Sequence, residues 1–285
     1  MKIKKSILAL TAVWVLSCPE WAEAQKVYRI SALVADDQSV PAIEGFKKKM
    51  VEMGYTEGRN VQYSFHSAKG DRDTLKKLAQ KLVEDKPDLI VTSSTTATVP
   101  VAKLTEGTNL PVVFLTAANP LLFVKGYASS GNNLTGITTS SIDLIEKRME
   151  LLKELAPGIK RVISLNNPEG ANYETYRNAT REAAKKLGLQ LVEVNAMSGD
   201  ELKQKAIHLT RKIGDAIFLP PDAIVSAAIR EVVQQAINEK TPSISANESN
   251  VKRGALATYA PDYFAMGQQG ALLVDKILKG ARPMD

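Results

Sequence analysis

The sequence predicts an α/β protein made of two lobes, each built around a parallel β-sheet. Apolar segments of strand length alternate with segments of helical periodicity along almost the whole chain, which is the pattern of βα units. The order of these elements starts again near residue 160, which indicates a duplicated lobe. At 285 residues, the chain is also long enough for two domains of ordinary size.

The first lobe is predicted to span residues 25–140. It begins with a strand at residues 27–34, and the next helix has Ile43, Phe46 and Met50 on one face. A second amphipathic helix carries an apolar stripe formed by Leu75, Leu78, Ala79, Leu82 and Val83. Further strands are predicted at residues 88–92, 111–115 and 133–137.

The second lobe is predicted to span residues 159–285, after a helical inter-lobe connection at residues 141–158. Its strands are predicted at residues 161–165, 189–194, 215–219, 242–245 and 255–259. Its helices are predicted at residues 173–187, 201–212 and 223–238, with a last helix ending at 279. Three landmarks recur about 130 residues apart, namely Gly54 and Gly188, Asp88 and Asp215, and Pro111 and Pro242. The alternative to duplication is that these landmarks recur only because all α/β proteins alternate strands and helices in this way.

Residues 1–24 are predicted to be an export signal. A basic start precedes an apolar run at residues 7–16, and Ala22-Glu23-Ala24 matches a small-x-small cleavage site. The run is too short for a membrane span, which needs about 20 residues. We therefore expect a periplasmic protein, and the alternative is a lipoprotein anchored through Cys18.

Composition and motifs argue against several classes of function. The net charge of +6 is spread along the chain rather than clustered, which does not favour nucleic-acid binding. Removal of Cys18 would leave no cysteine for disulfides, thiolate metal sites or catalysis. Nucleophile-elbow, phosphate-loop, zinc and dinucleotide motifs are absent, and His66 and His208 lie on unrelated elements. We therefore expect no enzyme activity, no cofactor and no metal.

Polar loops follow the predicted strands of both lobes. Ligands of open parallel sheets bind outside the carboxyl ends of the strands, so these loops are the predicted binding site. From the first lobe the candidates are Asp36, Asp37, Thr95, Thr96, Ala97 and Asn119. From the second lobe they are Asn167, Glu169, Asn172, Asp222, Asn247 and Tyr259.

Each of these candidates also has a purely structural interpretation. Asp222 is either a helix N-cap or the counter-ion of a ligand amine. The hydroxyl-rich segment at residues 92–98 either caps a helix or offers an anion site at its N-terminus. Tyr259 is either a core residue or a stacking face for an apolar ligand group.

Eight segments, in this order and spacing, resemble the solute-binding proteins of bacterial ABC importers, specifically the tryptophan-binding, type I periplasmic kind. They are Val27-Tyr-Arg-Ile, Gly54-Tyr-Thr-Glu-Gly-Arg-Asn-Val, Lys86-Pro-Asp-Leu-Ile-Val, Leu110-Pro-Val-Val-Phe, Asn133-Leu-Thr-Gly, Leu152-Lys-Glu-Leu-Ala-Pro, Lys185-Lys-Leu-Gly-Leu and Lys276-Ile-Leu-Lys-Gly. The resemblance implies two Rossmann-like lobes that close on a small solute. It also implies a monomer that delivers this solute to an ABC permease and its ATPase.

The resemblance also identifies positions of the binding site. It places the family's Thr/Ala loop at Thr95, Thr96 and Ala97, and it retains the Asn-Pro-x-Glu loop at residues 167–169. The family's Asp-Pro turn becomes Asn119-Pro120. Family members continue beyond a segment like residues 280–283, so either a final strand is missing or the chain is a fragment.

We therefore predict an exported solute-binding component of an ABC importer, which takes an amino acid or a similar carboxylate-bearing molecule. Two alternatives remain from the sequence. One is an exported ligand-sensing module for a signalling partner, and the other is a cofactor-free enzyme that uses carboxylates.

Overall fold

The computed structural model describes residues 26–284. The predicted signal segment and Cys18 lie outside the described residues. Within the described part of the chain, none of the helices has the length and apolarity needed to cross a bilayer.

The first sheet contains five parallel strands in the order β2-β1-β3-β4-β5. These strands are β1 (Tyr28–Val34), β2 (Val61–Ser67), β3 (Leu89–Ser93), β4 (Val112–Ala117) and β5 (Leu134–Thr138). The helices between them are α1 (Val40–Glu52), α2 (Arg72–Glu84) and α3 (Thr95–Leu104). Short 3-10 turns follow β1 at Asp37–Ser39 and β4 at Pro120–Leu122.

The second sheet repeats this topology, in the order β10-β9-β8-β6-β7. Its strands are β6 (Arg161–Asn166), β7 (Gln190–Asn195), β8 (Ala216–Leu219), β9 (Ser243–Ser245) and β10 (Ala257–Thr258). The helices after β5 in the chain are α4 (Ile145–Leu155), α5 (Tyr173–Lys186), α6 (Gly199–Ala206), α7 (Ala223–Ala227), α8 (Ile229–Asn238) and α9 (Tyr263–Leu278). A 3-10 turn at Glu248–Asn250 follows β9. The predicted fold class, two α/β lobes with parallel sheets, is confirmed.

The duplication extends to individual side chains at the amino ends of the strands. In the first lobe, Asp88 Oδ2 accepts a hydrogen bond from the backbone N–H of Arg29 at 2.8 Å. In the second lobe, Asp215 Oδ2 accepts the equivalent bond from Arg161, also at 2.8 Å. Each arginine also donates to carbonyl groups of the segment just before its aspartate. The general alternation of strands and helices does not require these matching contacts, so they favour duplication of one lobe.

The last helix differs from the predicted domain boundary, because α9 packs on the first lobe. Its residues Ala271 and Val274 are buried in the same core as Ile30 and Phe46. The approach to α1 is close enough that a Cβ on Gly267 would lie 1.9 Å from the carbonyl oxygen of Ala42. Only glycine allows two helix backbones to come this near. Helix α4, in the predicted inter-lobe connection, packs instead into the second lobe.

The chain therefore crosses between the lobes twice, after β5 and after β10, and Arg148 of α4 binds both crossings. Its side chain is 0% exposed. The guanidinium donates to the carbonyl oxygen of Ser141 in the first crossing at 2.7 Å and to that of Tyr259 in the second at 2.8 Å. Burial of the guanidinium lowers the pKa of Arg148. Both connections are thus ordered segments held at one point.

Two helices of the second lobe differ from their predicted extents. The predicted helix at 201–212 ends at Ala206, because the chain then turns to bring Leu209 into the core. His208 consequently lies exposed in a turn and not inside a helix. The predicted helix at 223–238 is divided into α7 and α8 at Ala228, whose backbone angles of −104° and 7° leave the helical region. The last predicted strand is shortened to Ala257–Thr258.

Candidate functional site

The carboxyl ends of the two sheets face each other across a cleft, and the lobes touch at its margins. Gln38 of the first lobe donates to Asn250 Oδ1 of the second at 3.3 Å. Arg72, at the start of α2, forms an ion pair with Glu169 in the loop after β6. Gly70 adopts a positive φ of 84°, and a Cβ on it would lie 2.8 Å from the carbonyl oxygen of Ala223. The lobes are therefore in a closed arrangement.

Two carboxylates, one from each lobe, approach each other in this cleft, and Asp36 is buried whereas Asp222 is half-buried. Burial raises the pKa of Asp36 to about 6, and the charges of Asp222 and Asp37 raise it further, while the Gln38 N–H lowers it. Burial also raises the pKa of Asp222, against the lowering effect of hydrogen bonds from Ile224 and Asn167. Neither carboxylate forms an ion pair within residues 26–284. This pair of carboxylates would be stabilised by a cation between the lobes.

The hydroxyl-rich segment of the first lobe forms the N-terminus of α3. Ser94 caps the helix by accepting from the Ala97 N–H at 3.2 Å, and its backbone has an unusual φ of 86°. Thr95 is buried, and its hydroxyl accepts from the N–H groups of Ala118 and Asn119 at 2.9 and 3.1 Å. The hydroxyls of Ser94 and Thr95 are thus structural, whereas Thr96, at the first turn of α3, is half-buried.

Asp222 lies at the centre of the polar loops of the second lobe. It caps α7 by accepting from the Ile224 N–H at 2.9 Å, and it accepts from Asn167 Nδ2 at 3.2 Å. Gly170 lies close to the other carboxylate oxygen, since a Cβ there would lie 3.0 Å from Asp222 Oδ2. This oxygen also accepts from Asn167 Nδ2 at 3.4 Å, and Asp222 remains half-buried. Asp222 therefore is a helix N-cap, as one of its two interpretations predicted. Because the residue is only half-buried, capping does not prevent its carboxylate from contacting a ligand.

A small polar cavity lies beside Asp222, between β6, β8 and α5. Its lining includes Asn167, Asn172, Tyr176, Thr180 and Asp222. Two polar atoms of this lining are buried without a hydrogen-bond partner among the described residues, namely Asn172 Oδ1 and the Tyr176 hydroxyl. Buried polar atoms of this kind usually have a partner, so the cavity has unfilled hydrogen-bonding capacity.

The other candidates occupy the cleft margin in different ways. Asp37 is exposed and accepts from the Ser67 hydroxyl at 3.2 Å. Ala97 belongs to the hydrophobic core of the first lobe, so its side chain is structural. Asn119 begins the turn after β4 without a side-chain capping bond. Asn247 is buried and caps the turn after β9 by accepting from the Ser249 N–H.

Tyr259 and Glu169 differ from the remaining candidates because they connect the lobes. Tyr259 is 43% exposed, and its backbone carbonyl accepts from Arg148 at the second crossing. The Tyr259 ring is therefore not a core residue. Glu169 is exposed and contacts the first lobe through its ion pair with Arg72.

Sequence reasoning missed two tyrosines that lie near the paired carboxylates. Tyr176 lines the polar cavity, and Tyr263 at the start of α9 has a pKa raised to about 12 by burial and by the charge of Asp36. A signal for the first was present in the sequence, because Asn172, Tyr176 and Thr180 are spaced by four residues and form a polar stripe on one helix face. Tyr263 reaches the cleft only because α9 returns to the first lobe.

Comparison with known proteins identifies relatives over nearly the whole chain. The family described as "ABC transporter substrate binding protein" matches residues 28–285. A tyrosine-binding protein from Clostridioides difficile (strain R20291) is 30% identical over 261 residues, which cover 91% of this chain and 74% of the relative.

Two solved structures match the fold in different ways. An ABC domain from Streptococcus pneumonia in complex with L-Trp is 25% identical, with a TM-score of 0.82 and coverage of 91% of this chain and 88% of that one. The ligand-free, open structure of CD0873 from Clostridium difficile, a substrate-binding protein with adhesive properties, is 28% identical, with a TM-score of 0.62 and coverage of 90% and 87%. At similar identity and coverage, the lobes of this chain are therefore arranged more like those of the ligand-bound structure.

The match to the family extends over both lobes and both crossings between them. Proteins of this family bind small-molecule solutes and work with a transporter, and they are not enzymes. The predictions of a substrate-binding protein and of no enzyme activity are therefore confirmed. This chain belongs to the ABC transporter substrate binding protein family.

Proposed function

We propose that this protein binds an amino acid between its lobes and delivers it to an ABC permease. The observation that carries the proposal is the pair of carboxylates that the two lobes bring together, the buried Asp36 and the half-buried Asp222. The ammonium group of an amino acid carries one positive charge, which would be attracted to both carboxylates and would reduce the repulsion between them. Binding of such a ligand therefore favours the closed arrangement over the open one.

The first lobe offers a site for the other end of a zwitterion. The N-terminus of α3 directs backbone N–H groups and a positive helix dipole toward the cleft, and Thr96 is half-buried at this end. A carboxylate at a helix N-terminus is favourable by about 0.3 to 2 kcal/mol. The relatives named for tyrosine and for bound L-Trp support an aromatic amino acid as the ligand.

The ligand class is tested by thermal shift against L-amino acids, small carboxylic acids and sugars. A ligand present at 100 times its Kd adds about 2.7 kcal/mol of stability, which raises the melting temperature by several degrees. We expect shifts with L-tyrosine or L-tryptophan. Shifts with sugars alone would reject the amino-acid proposal.

The role of Asp222 is tested by Asp222→Asn, which keeps an oxygen to cap α7 and removes the charge. We expect amino-acid affinity to fall by more than about tenfold, or 1.4 kcal/mol, measured by calorimetry. Asp262→Asn is the matched control, because Asp262 caps α9 in the same way from an exposed position. Equal affinity in Asp222→Asn and the unmodified protein would reject the counter-ion role.

Export, a periplasmic location and a monomeric state are parts of the same proposal. Export and the location are supported by the signal pattern at residues 1–24 and by the extracytoplasmic location typical of the family. Cell fractionation tests the location and the alternative lipid anchor at Cys18, and light scattering tests the monomer. Uptake of the labelled ligand into vesicles that hold the cognate permease and ATPase tests delivery.

A further inference from the structure

Helix α7 packs into the hydrophobic cores of both lobes. Ile224 and Val225 are buried in the core of the second lobe. Ala223, one residue earlier, is 8% exposed and belongs to the core of the first lobe, together with Leu33 and Ala68. The first turn of α7 is therefore fixed in one lobe and packed against the other, so its distance from the first lobe changes when the lobes open.

Ala227, the last residue of α7, lies between two glycines that belong to different lobes. A Cβ on Gly70 of the first lobe would lie 2.9 Å from Ala227 Cβ and 2.8 Å from the Ala223 carbonyl oxygen. A Cβ on Gly199, at the start of α6 in the second lobe, would lie 2.6 Å from the same Ala227 Cβ. Non-bonded carbon atoms pack at about 3.5 to 4.0 Å, so neither position has room for a methyl group. The contact at Gly70 differs from that at Gly199, because it lies between the lobes.

Gly70 is held in place within the first lobe. Its N–H donates to the carbonyl oxygen of Ala35, just after β1, at 2.8 Å. The next residue, Asp71, caps α2 by accepting from the Thr74 N–H at 2.7 Å. Hydrogen bonds thus hold this segment, core side chains hold α7, and the lobes themselves meet through few contacts. A side chain at position 70 is therefore accommodated at lowest cost by a larger distance between the lobes.

We propose that Gly70 and Ala227 are positioning residues that set how far the lobes close. Because position 70 has no side chain, α7 can reach the first lobe, and a Cβ there would stop closure early. Since α7 begins at its N-cap Asp222, the approach to Gly70 also sets the distance between Asp222 and Asp36. The effect on ligand affinity rests on the proposed function, whereas the effect on closure does not.

The test gives Gly70 a side chain and compares it with another glycine of the same backbone conformation. Gly58 is the matched control, because it also lies in the first lobe, with a φ of 82° against 84° for Gly70, and a Cβ on it meets no atom within 4 Å. Asparagine tolerates this left-handed conformation better than most side chains. Gly70→Asn and Gly58→Asn therefore carry similar backbone strain, and both should fold.

Closure is measured without any ligand by cross-linking across the cleft margin. Residues 26–284 contain no cysteine, so Arg72→Cys and Glu169→Cys together place one thiol on each side of the closed cleft. A short bismaleimide joins the two thiols when the lobes close. We expect this cross-linking to be about tenfold slower when Gly70→Asn is added than when Gly58→Asn is added.

Ligand affinity is the second measurement, by calorimetry with L-tyrosine and L-tryptophan in proteins that retain Arg72 and Glu169. Gly70→Asn should bind these amino acids at least about tenfold more weakly than Gly58→Asn. Equal cross-linking rates in the two variants would overturn the proposal, whatever the affinities. Slower cross-linking with Gly70→Asn, combined with no binding of either amino acid by the unmodified protein, would support the limit on closure and reject the proposed function.

Discussion

At the scale of single residues, the cleft places structural residues beside residues for which we propose ligand contact. The Thr95 hydroxyl accepts a hydrogen bond from the backbone of the loop after β4, whereas Thr96 beside it is half-buried at the N-terminus of α3. Asp222 caps a helix and is still only half-buried. Residue types at loop positions predicted the neighbourhood of the proposed site, but the geometry was needed to separate these roles.

The raised pKa of Asp36 predicts a dependence of stability on pH. A carboxyl group with a pKa of 3.8 when unfolded and about 6 when folded binds more protons in the folded state between these values. Its protonated form stabilises the fold at low pH, and this contribution is lost as the pH rises through about 6. The unfolding free energy of the ligand-free protein should therefore fall as the pH rises from about 4 to 6. In Asp36→Asn this fall should be smaller.

Urea unfolding at several pH values measures this difference. Asparagine retains an oxygen for the Gln38 N–H, so the capping bond of Asp36 is preserved. Asp143→Asn, the same change at an exposed position in the turn before α4, is the control and should leave the pH profile close to that of the unmodified protein. If the unfolding free energy of Asp36→Asn changed with pH as much as that of the unmodified protein, Asp36 would not be the group responsible for this pH dependence.

At the scale of secondary structure elements, periodicity and turn residues were reliable guides. Most strands and helices lie where alternation of apolar residues predicted them, because local hydrophobic patterns determine which face of an element is buried. Gly54 and Gly188, one of the recurring pairs of landmarks, follow α1 and α5 and both have positive φ values, of 92° and 67°. The errors lie at Ala206 and Ala228, where packing of Leu209 and of α7 ended or divided a helix that its own sequence favoured.

The contact between α1 and α9 predicts that Gly267 tolerates no side chain. Gly267→Ala would place a methyl group against the Ala42 carbonyl, so we expect a loss of about 1 to 3 kcal/mol or more in unfolding free energy. Gly158→Ala is the matched control, because a Cβ there meets no atom within 4 Å. Chemical denaturation measures both variants, and equal stability would show that the helices separate easily.

At the scale of the whole molecule, the two lobes meet through few polar contacts and are joined by two crossings. Arg148 holds both crossings from within α4, while the Arg72–Glu169 ion pair spans the cleft margin far from them. Contacts of the first kind persist when the lobes open, because they lie at the hinge. Contacts of the second kind exist only in the closed arrangement, so they contribute to closure and not to folding of either lobe.

The ion pair between the lobes should therefore affect ligand binding more than folding. Exposed pairs contribute about 0 to 1 kcal/mol, so Arg72→Ala and Glu169→Ala should each weaken binding by at most about fivefold. Their double mutant should resemble the single ones, since either change removes the pair. Calorimetry with L-tryptophan or L-tyrosine measures this cycle.

The control for this cycle is Lys203→Ala, which removes an ion pair with Asp200 inside α6 of one lobe. It should leave ligand affinity unchanged. Additive losses in the Arg72 and Glu169 variants would mean that the two side chains act separately on the ligand. A loss of unfolding free energy that matches the loss in binding would place the pair in the fold and not in closure.

The sequence by itself determined the class of the fold, its duplication and the edge of each sheet where we propose that a ligand binds, because these follow from local periodicity and from the order of the elements. It also placed Asp36 and Asp222 at that edge. Only the tertiary structure decided which loops meet, that α9 returns to the first lobe, and that Tyr176 and Asn172 share a cavity with Asp222. These depend on contacts between residues distant in the chain, whose free energy no local pattern specifies.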